Sequence, residues 1–344
     1  MYISSRRPGL PISLVIPCGG DANSLTPVLA AIESGTCWPA EVLVVDAAQQ
    51  LLGRVRCERP FCSRVRVLDS AVHLFPGAAR NLGFQAASMN WIAFLDINTL
   101  PPPTWLETLY KLSQQYPGAE LLLGSTRYFG QSWQQRLFIT ATYGERPLPT
   151  LPGSLVHRAV LNRLGGFLPG VRAGEDTDWL VRVKQFAVYQ IPGAPIPLSY
   201  GAVPGSLAAL ARKWFRNYHS CAPVVFHLEA HKTIYVVVAN LLILLLASNW
   251  NGLVADWRES SNLYIANITK TVFVGVVIGY LLIRGLAMPL RRGSSFKLVL
   301  PMQWILVGIV CVVLDVSKLV AFVLPPWRDR ACVPVVGPKA DSKS

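Results

Sequence analysis

The 344 residues are enough for one large domain, or for a medium domain with an appendage. A mean hydropathy of +0.37 argues against a purely soluble chain and points to membrane segments. Only 15% of residues are charged, yet the net charge is +13. Such a balance suits work beside anionic headgroups or phosphates.

Nucleic acid is a poor alternative, because no recognised nucleic-acid motif is present and membrane-flanking Arg and Lys account for the excess. The seven cysteines (Cys18, Cys37, Cys57, Cys62, Cys221, Cys311, Cys332) form no CxxC pair and have no His at metal-ligand spacing. A zinc site is therefore not expected, and their scatter fits idle thiols in a reducing compartment. The short apolar run after Arg6 and Arg7 ends at Pro17, too soon for a signal peptide, so the N-terminal domain is expected in the cytosol.

In chain order, the first apolar runs are Ile12–Ile16, Val42–Val45, Val65–Leu68 and Trp91–Leu95. Each is short, rich in Val, Ile or Leu, and ends at or near an acidic or turn residue. Ser24–Ser34 and Gly77–Ala87 separate them as helices with one apolar face. Continuous apolar strands between helices predict a Rossmann-like α/β domain: a mostly parallel sheet with helices on both faces. Pro101–Pro103 interrupt the chain before a helix over Trp105–Tyr116, where Thr104 and Glu107 have capping-box spacing. Glu120–Gly124 and Ala187–Ile191 read as strands and Glu175–Phe186 as a helix. Ser206–Tyr218 reads as an amphipathic helix with Trp214 and Phe215 opposite Arg212, Lys213 and Arg216. It either lies in the headgroup plane or packs on the sheet.

The composition changes near His231. Ile234–Trp250 is long enough to span a bilayer and carries no charge. Thr271–Ile283 is short, so Lys270 or Arg284 must snorkel if it spans. Leu298–Leu324 is long and contains Asp315 and Lys318, whose i,i+3 spacing allows mutual neutralisation. Arg284, Arg291, Arg292 and Lys297 between the last two segments are expected on the cytosolic side. Three crossings then put Arg328, Arg330, Lys339 and Lys343 outside, against the same rule, so two or four crossings stay open. The expected organisation is a globular domain over 10–205, an amphipathic region over 206–231, about three transmembrane helices over 232–324, and a tail over 325–344. That makes a multi-pass protein of the cell (inner or plasma) membrane.

In open α/β sheets, ligands bind beyond the carboxyl ends of the strands. Asp21, Asp46 and Asp96 fall there. If Asp96-Ile97-Asn98 is extended, Asp96 and Asn98 point the same way and offer two hard oxygens to one cation. The run Arg54, Arg56, Arg59, Arg64, Arg66 reads as a solvated edge.

The segment Gly77-Ala78-Ala79-Arg80-Asn81-Leu82-Gly83, leading to Phe94-Leu95-Asp96-Ile97-Asn98, resembles the family 2 glycosyltransferases of the GT-A fold. So do Leu164-Gly165-Gly166-Phe167 and the following Gly174-Glu175-Asp176-Thr177-Asp178. The resemblance covers about Ile12 to Tyr218. It implies a membrane-anchored inverting transferase that moves a sugar from a nucleotide-sugar donor to a lipid-linked or glycan acceptor at the cytosolic face.

By that resemblance Asp46 contacts the nucleotide, and Asp96 with Asn98 holds Mg²⁺ or Mn²⁺ on the donor diphosphate. Asp176 is the general base. Arg80 is a candidate for the donor phosphates, and Glu175, Asp178, Arg158 and Trp214 are candidates for acceptor contact or support. On a helix Asp176 and Asp178 diverge by about 200°, so only one of them faces the pocket.

The chain departs from the family pattern at Ala47 and Ala48 after Asp46, at Asn98 for a second metal-motif Asp, and at Tyr200 where many members have His. These departures keep open a degenerate membrane binding or scaffold protein. Arg212-Lys213-Trp214 lies where processive synthases carry Gln-x-x-Arg-Trp, which argues for single-sugar transfer.

Overall fold

The computed structural model describes residues 7–20, 22–51, 61–191, 196–225, 231–295 and 301–324. Asp21, Arg54, Arg56, Cys57, Arg59, Lys297, Cys332 and the basic tail residues Arg328, Arg330, Lys339 and Lys343 lie outside them. The described residues divide into two compact units. One runs to Phe129 and resumes over Pro147–Val203; the other comprises Gly130–Arg146 and the residues from Pro204 onward.

The elements of the first unit are β1 (Gly9–Cys18), α1 (Ala22–Glu33), β2 (Trp38–Asp46), β3 (Val65–Asp69), α2 (Pro76–Ala86), β4 (Trp91–Phe94), β5 (Thr99–Leu100), α3 (Trp105–Gln115) and β6 (Leu121–Tyr128). After α4 (Trp133–Thr142), which belongs to the second unit, come β7 (Leu148–His157), α5 (Arg158–Leu164), α6 (Glu175–Gln185), β8 (Gln190–Ile191) and β9 (Leu198–Tyr200).

The central strands are apolar throughout because both faces are covered. Leu14 and Ile16 of β1, Val42 and Val44 of β2 and Ala93 of β4 enter one core with Leu25, Leu29 and Ile32 of α1 and Trp105 and Leu109 of α3. The alternate residues Val15, Leu43, Ile92 and Phe94 enter a second core with Val160, Leu161, Trp179 and Val183 of α5 and α6. This is the two-residue side-chain period of a strand buried on both sides.

The sheet order is β3-β2-β1-β4-β7-β6-β9-β5, with β8 also on β6. The strands β3, β2, β1 and β4 are parallel, as the apolar runs predict. The remainder is mixed: β7 is antiparallel to both β4 and β6 and β5 is antiparallel to β9, whereas β8 and β9 run parallel to β6. The fold is a mixed, curled sheet. The β6–β7 ladder is irregular between Leu122 and Gly124, where a Cβ on Gly124 would meet the Gly153 carbonyl carbon at 2.4 Å. Strand β7, with prolines at 149 and 152 and Thr150 among its apolar residues, escaped the sequence reading because such a run lacks a clean period.

The expected cap at Thr104 is also corrected. Its side chain makes no cap bond, and Glu107 instead accepts from Thr36 Oγ1 at 2.7 Å and pairs with Lys111. The capping box that does form joins Ser132 and Gln135 at the start of α4. Arg64 is not a solvated edge residue: it donates to Pro39 O at 2.9 Å and lies over the Trp38 ring. Cys18, Cys37, Cys221 and Cys311 are buried thiols outside any disulfide, whereas Cys62 is disulfide-bonded, which corrects the expectation of thiols throughout.

The second unit contains α4, α7 (Leu207–Val225), α8 (His231–Ala255), α9 (Ile268–Leu281) continued by a π-helical turn (Leu282–Ala287), α10 (Met288–Arg291) and α11 (Pro301–Val323). Three spans are long and apolar enough to cross a membrane: Tyr235–Ala255, Ile268–Arg291 and Met302–Val323. They form a multi-pass membrane region. The second span, short in the sequence reading, gains its length by running through Arg284.

That arginine donates to both carboxylate oxygens of Asp315, at 2.8 and 2.9 Å, and Tyr280 adds a third bond at 2.8 Å. Asp315 is therefore neutralised by Arg284 on a neighbouring helix and not by Lys318. The Lys318 ammonium lies over the Tyr218 ring at 4.7 Å, a cation–π contact. Helix α7 packs on α11, with Tyr218 edge-on to Phe322.

Helix α2 lies close to the sheet because position 83 has no side chain. A Cβ there would meet Val15 Cγ1 at 2.3 Å and Val45 Cγ2 at 3.3 Å. Gly83→Ala is expected to cost about 1–3 kcal/mol, the range for overpacking a filled core, and to lower the thermal midpoint of the purified protein in detergent.

Candidate active site

The site forms at the carboxyl ends of the parallel strands. Register pairs Cys18 with Asp46 and Val15 with Phe94, so Asp46 and Asp96 end strands on either side of β1 at nearly the same level. Two strand spacings separate them by roughly 10 Å, the scale of a nucleoside diphosphate's phosphate arm.

At its centre is Arg80 of α2, which is 3% exposed. One guanidinium nitrogen donates to Glu175 Oε1 at 2.5 Å and another to Asp96 Oδ1 at 2.9 Å. Burial works against its charge, but the carboxylates of Asp96, Glu175 and Asp176 more than offset that and hold the guanidinium protonated. Burial pushes the Glu175 carboxyl above the usual carboxylate range against the lowering pull of Arg80, and Asp176 adds to the rise. Glu175 Oε2 and Arg80 Nε are buried without a partner among the described residues.

The neighbouring Asn81 fixes the second motif. Its amide nitrogen donates to Phe167 O at 2.7 Å, and its oxygen accepts from Phe167 N at 2.8 Å. A Cβ at Gly166 would meet Asn81 Oδ1 at 2.3 Å, so the approach needs glycine there. Gly165 has φ +77°, in the left-handed region that favours glycine. The Phe167 ring then packs between Phe94 and Trp179.

Asp178 pairs with Arg182 at 2.8 Å, and Arg182 also donates to Leu164 O and Gly166 O. Asp178 thus braces the Gly-Gly-Phe turn. Asp176 is half-buried, and its charge acts on Arg80 and Tyr128, so of the two aspartates it is the one turned to the cluster. Its Oδ1 accepts from Thr177 N at 2.7 Å.

Asp96 departs from the extended geometry expected of it. Thr99 N and Thr99 Oγ1 both donate to Asp96 O, at 3.0 and 2.7 Å. The segment 96–99 is thus a turn, and strand alternation does not align Asp96 with Asn98, which is exposed. Asp46 is 1% exposed. Its two oxygens accept from Gln50 N at 3.0 Å and Leu51 N at 2.7 Å, fastening the loop after β2.

Arg158 stands apart from the cluster. It follows β7 at the opposite end of β4, where it donates to Ala87 O and Met89 O and lies over Phe84. Trp214 belongs to the second unit and packs edge-on to Tyr143. Tyr128 is a member of the cluster that sequence reasoning missed, because the β6 run extends past the predicted Glu120–Gly124 into polar residues. Burial, then Tyr200, Asp176 and Asp96, raise its phenol pKa.

Asp96 and Asn98 supply one carboxylate and one amide oxygen, a hard donor set of the kind Mg²⁺ or Mn²⁺ accepts. No group of three His, Cys, Asp or Glu able to hold a metal is present among the described residues.

Residues 13–166, just under half of the chain, match the family model described as glycosyl transferase family 2. The first unit, which holds most of the matched residues, has a GT-A-like α/β fold with a mixed, curled sheet. An uncharacterized glycosyltransferase of Haemophilus influenzae is 21% identical over 207 residues, which is 55% of this chain and 67% of that protein.

Among solved structures, the mannosyltransferase PcManGT of Pyrobaculum calidifontis, in complex with GDP-Man and Mn²⁺, is 15% identical. The alignment covers 92% of this chain and 88% of that one, with a TM-score of 0.49. TarS residues 1–349 of S. aureus are 14% identical over 91% and 90% of the two chains, with a TM-score of 0.41.

Replacing Arg80 with Met strands Glu175 and is expected to destabilise the protein by about 3–5 kcal/mol, the usual cost of breaking a buried ion pair. Chemical denaturation in detergent measures the loss. Adding Glu175→Gln to that variant should recover most of it.

Proposed function

We propose that the chain is a membrane-anchored family 2 glycosyltransferase, which moves a sugar from a nucleotide-sugar donor to a lipid-linked or glycan acceptor at the cytosolic face. The observation that carries this reading is the bridge from Asp96 through Arg80 to Glu175. It joins the end of β4 to the start of α6 and leaves Asp176 beside the same cluster.

In this reading Asp176 takes the proton of the acceptor hydroxyl while that oxygen attacks the anomeric carbon. The bond to the diphosphate breaks in the same displacement, and the diphosphate leaves with the electron pair, so configuration inverts. A divalent cation held by Asp96 and Asn98 would supply positive charge to the departing diphosphate. Arg80, already engaged by two carboxylates, acts by positioning them and not by binding phosphate. Asp46 supports the nucleotide end through the loop it fastens, and Asp178 supports the turn that carries Gly166 and Phe167.

The neutral Asn98 and the engaged Asp46 carboxylate favour one other reading, a domain that binds a nucleotide sugar without turnover. The two separate in one experiment on protein purified in detergent. The transferase reading expects donor hydrolysis or transfer that falls about 10²- to 10⁴-fold in Asp176→Asn, the contribution of a positioned base, while donor binding is kept. Donor binding with no turnover in the unsubstituted protein would select the binding reading.

A further inference from the structure

Two tyrosines beside the aspartates have no part in the roles above. Tyr128 ends β6 and Tyr200 ends β9, and they are register partners in a parallel ladder. Partners in register present their side chains to one face of the sheet. Their ring centroids lie 5.0 Å apart at 50°. A bond from Phe129 N to Tyr200 O at 2.9 Å carries the ladder one residue further.

On its other side Tyr200 pairs with Thr99 of β5. Thr99 is the residue whose hydroxyl and amide hold the Asp96 carbonyl. The aromatic pair is therefore tied to the turn that presents Asp96, while the charges of Asp176 and Asp96 both reach the Tyr128 phenol. Both tyrosines are half-buried, so the pair keeps surface open to a ligand.

A half-buried pair of rings, one of them within electrostatic reach of two carboxylates, suits a ligand with an apolar C–H face and a rim of hydroxyls. Arg80, the arginine of this cluster, is already engaged by Asp96 and Glu175 and so does not serve an acceptor phosphate beside the rings. We propose that Tyr128 and Tyr200 form the platform for a pyranose ring of the acceptor, so that the nucleophile is a sugar hydroxyl and not a lipid phosphate oxygen. This rests on the transferase reading for its meaning, but its test does not need turnover.

Saturation-transfer NMR on the full chain in detergent, with methyl glucoside, galactoside, mannoside and N-acetylglucosaminide as probes, reads the contact directly. The platform expects at least one pyranoside to bind, about fivefold more weakly in Tyr128→Ala and Tyr200→Ala but not in the Phe variants, which keep the rings. Thermal midpoints show that the Ala variants are folded. Binding should persist with UDP or GDP and Mn²⁺ present. Were no pyranoside to bind, or were binding equal in the folded Ala variants, the platform would be wrong. Competition by UDP- or GDP-sugars but not by UDP or GDP would assign the rings to the donor sugar and overturn the acceptor assignment. Ring-dependent pyranoside binding in a protein without turnover would sink the transferase reading and leave the platform standing.

Discussion

Arg80 is placed where an arginine is costly, inside the protein and away from water, and two carboxylates make it tolerable. Those carboxylates come from the end of β4 and the start of α6, so the guanidinium cannot be satisfied unless both elements are in place. The next residue repeats the constraint in neutral form, since Asn81 is satisfied only when the backbone at Phe167 meets both ends of its amide. Two consecutive residues of one helix thereby set the positions of Asp96, Glu175 and the Gly-Gly-Phe turn. The Asp178–Arg182 brace holds that turn from the other side.

This arrangement changes what the motif residues are for. Arg80, which the sequence offers as a hand for phosphate, spends its donors on protein oxygens. Asp46 is similar: a strand-end carboxylate, open to ligand in the sequence reading, is occupied by two backbone amides. What remains turned to the site is sparser than the motifs imply, namely Asp96, Asp176, Asn98 at the turn, and the two tyrosines.

The membrane unit follows the same logic in another solvent. A charge in hydrocarbon must find a partner, and the partner of Asp315 is Arg284 one helix away, with Tyr280 completing the set. Close helix approach makes the contact possible: a Cβ at Gly285 would meet Trp304 O at 2.2 Å. Small residues serve this purpose in membrane helices generally.

Much of this was legible in the order of the residues. The four parallel strands, most of the helices and the long apolar spans follow from local period and composition, because a strand buried on both faces must be apolar throughout; the clustering of the Gly77–Gly83, Asp96 and Gly165–Asp178 motifs was implied only by the family resemblance. Partners could not be read, because a carboxylate's neighbours depend on which distant segment folds beside it. Asp315 was matched to Lys318 because sequence spacing shows only near neighbours, and Arg284 is 31 residues away. The antiparallel β7, the turn at Asp96 and the place of Tyr128 likewise came from the tertiary structure. Strand direction, turn geometry and the pairing of Tyr128 with Tyr200 are properties of the sheet as a whole, set by hydrogen bonds between segments that no local pattern joins.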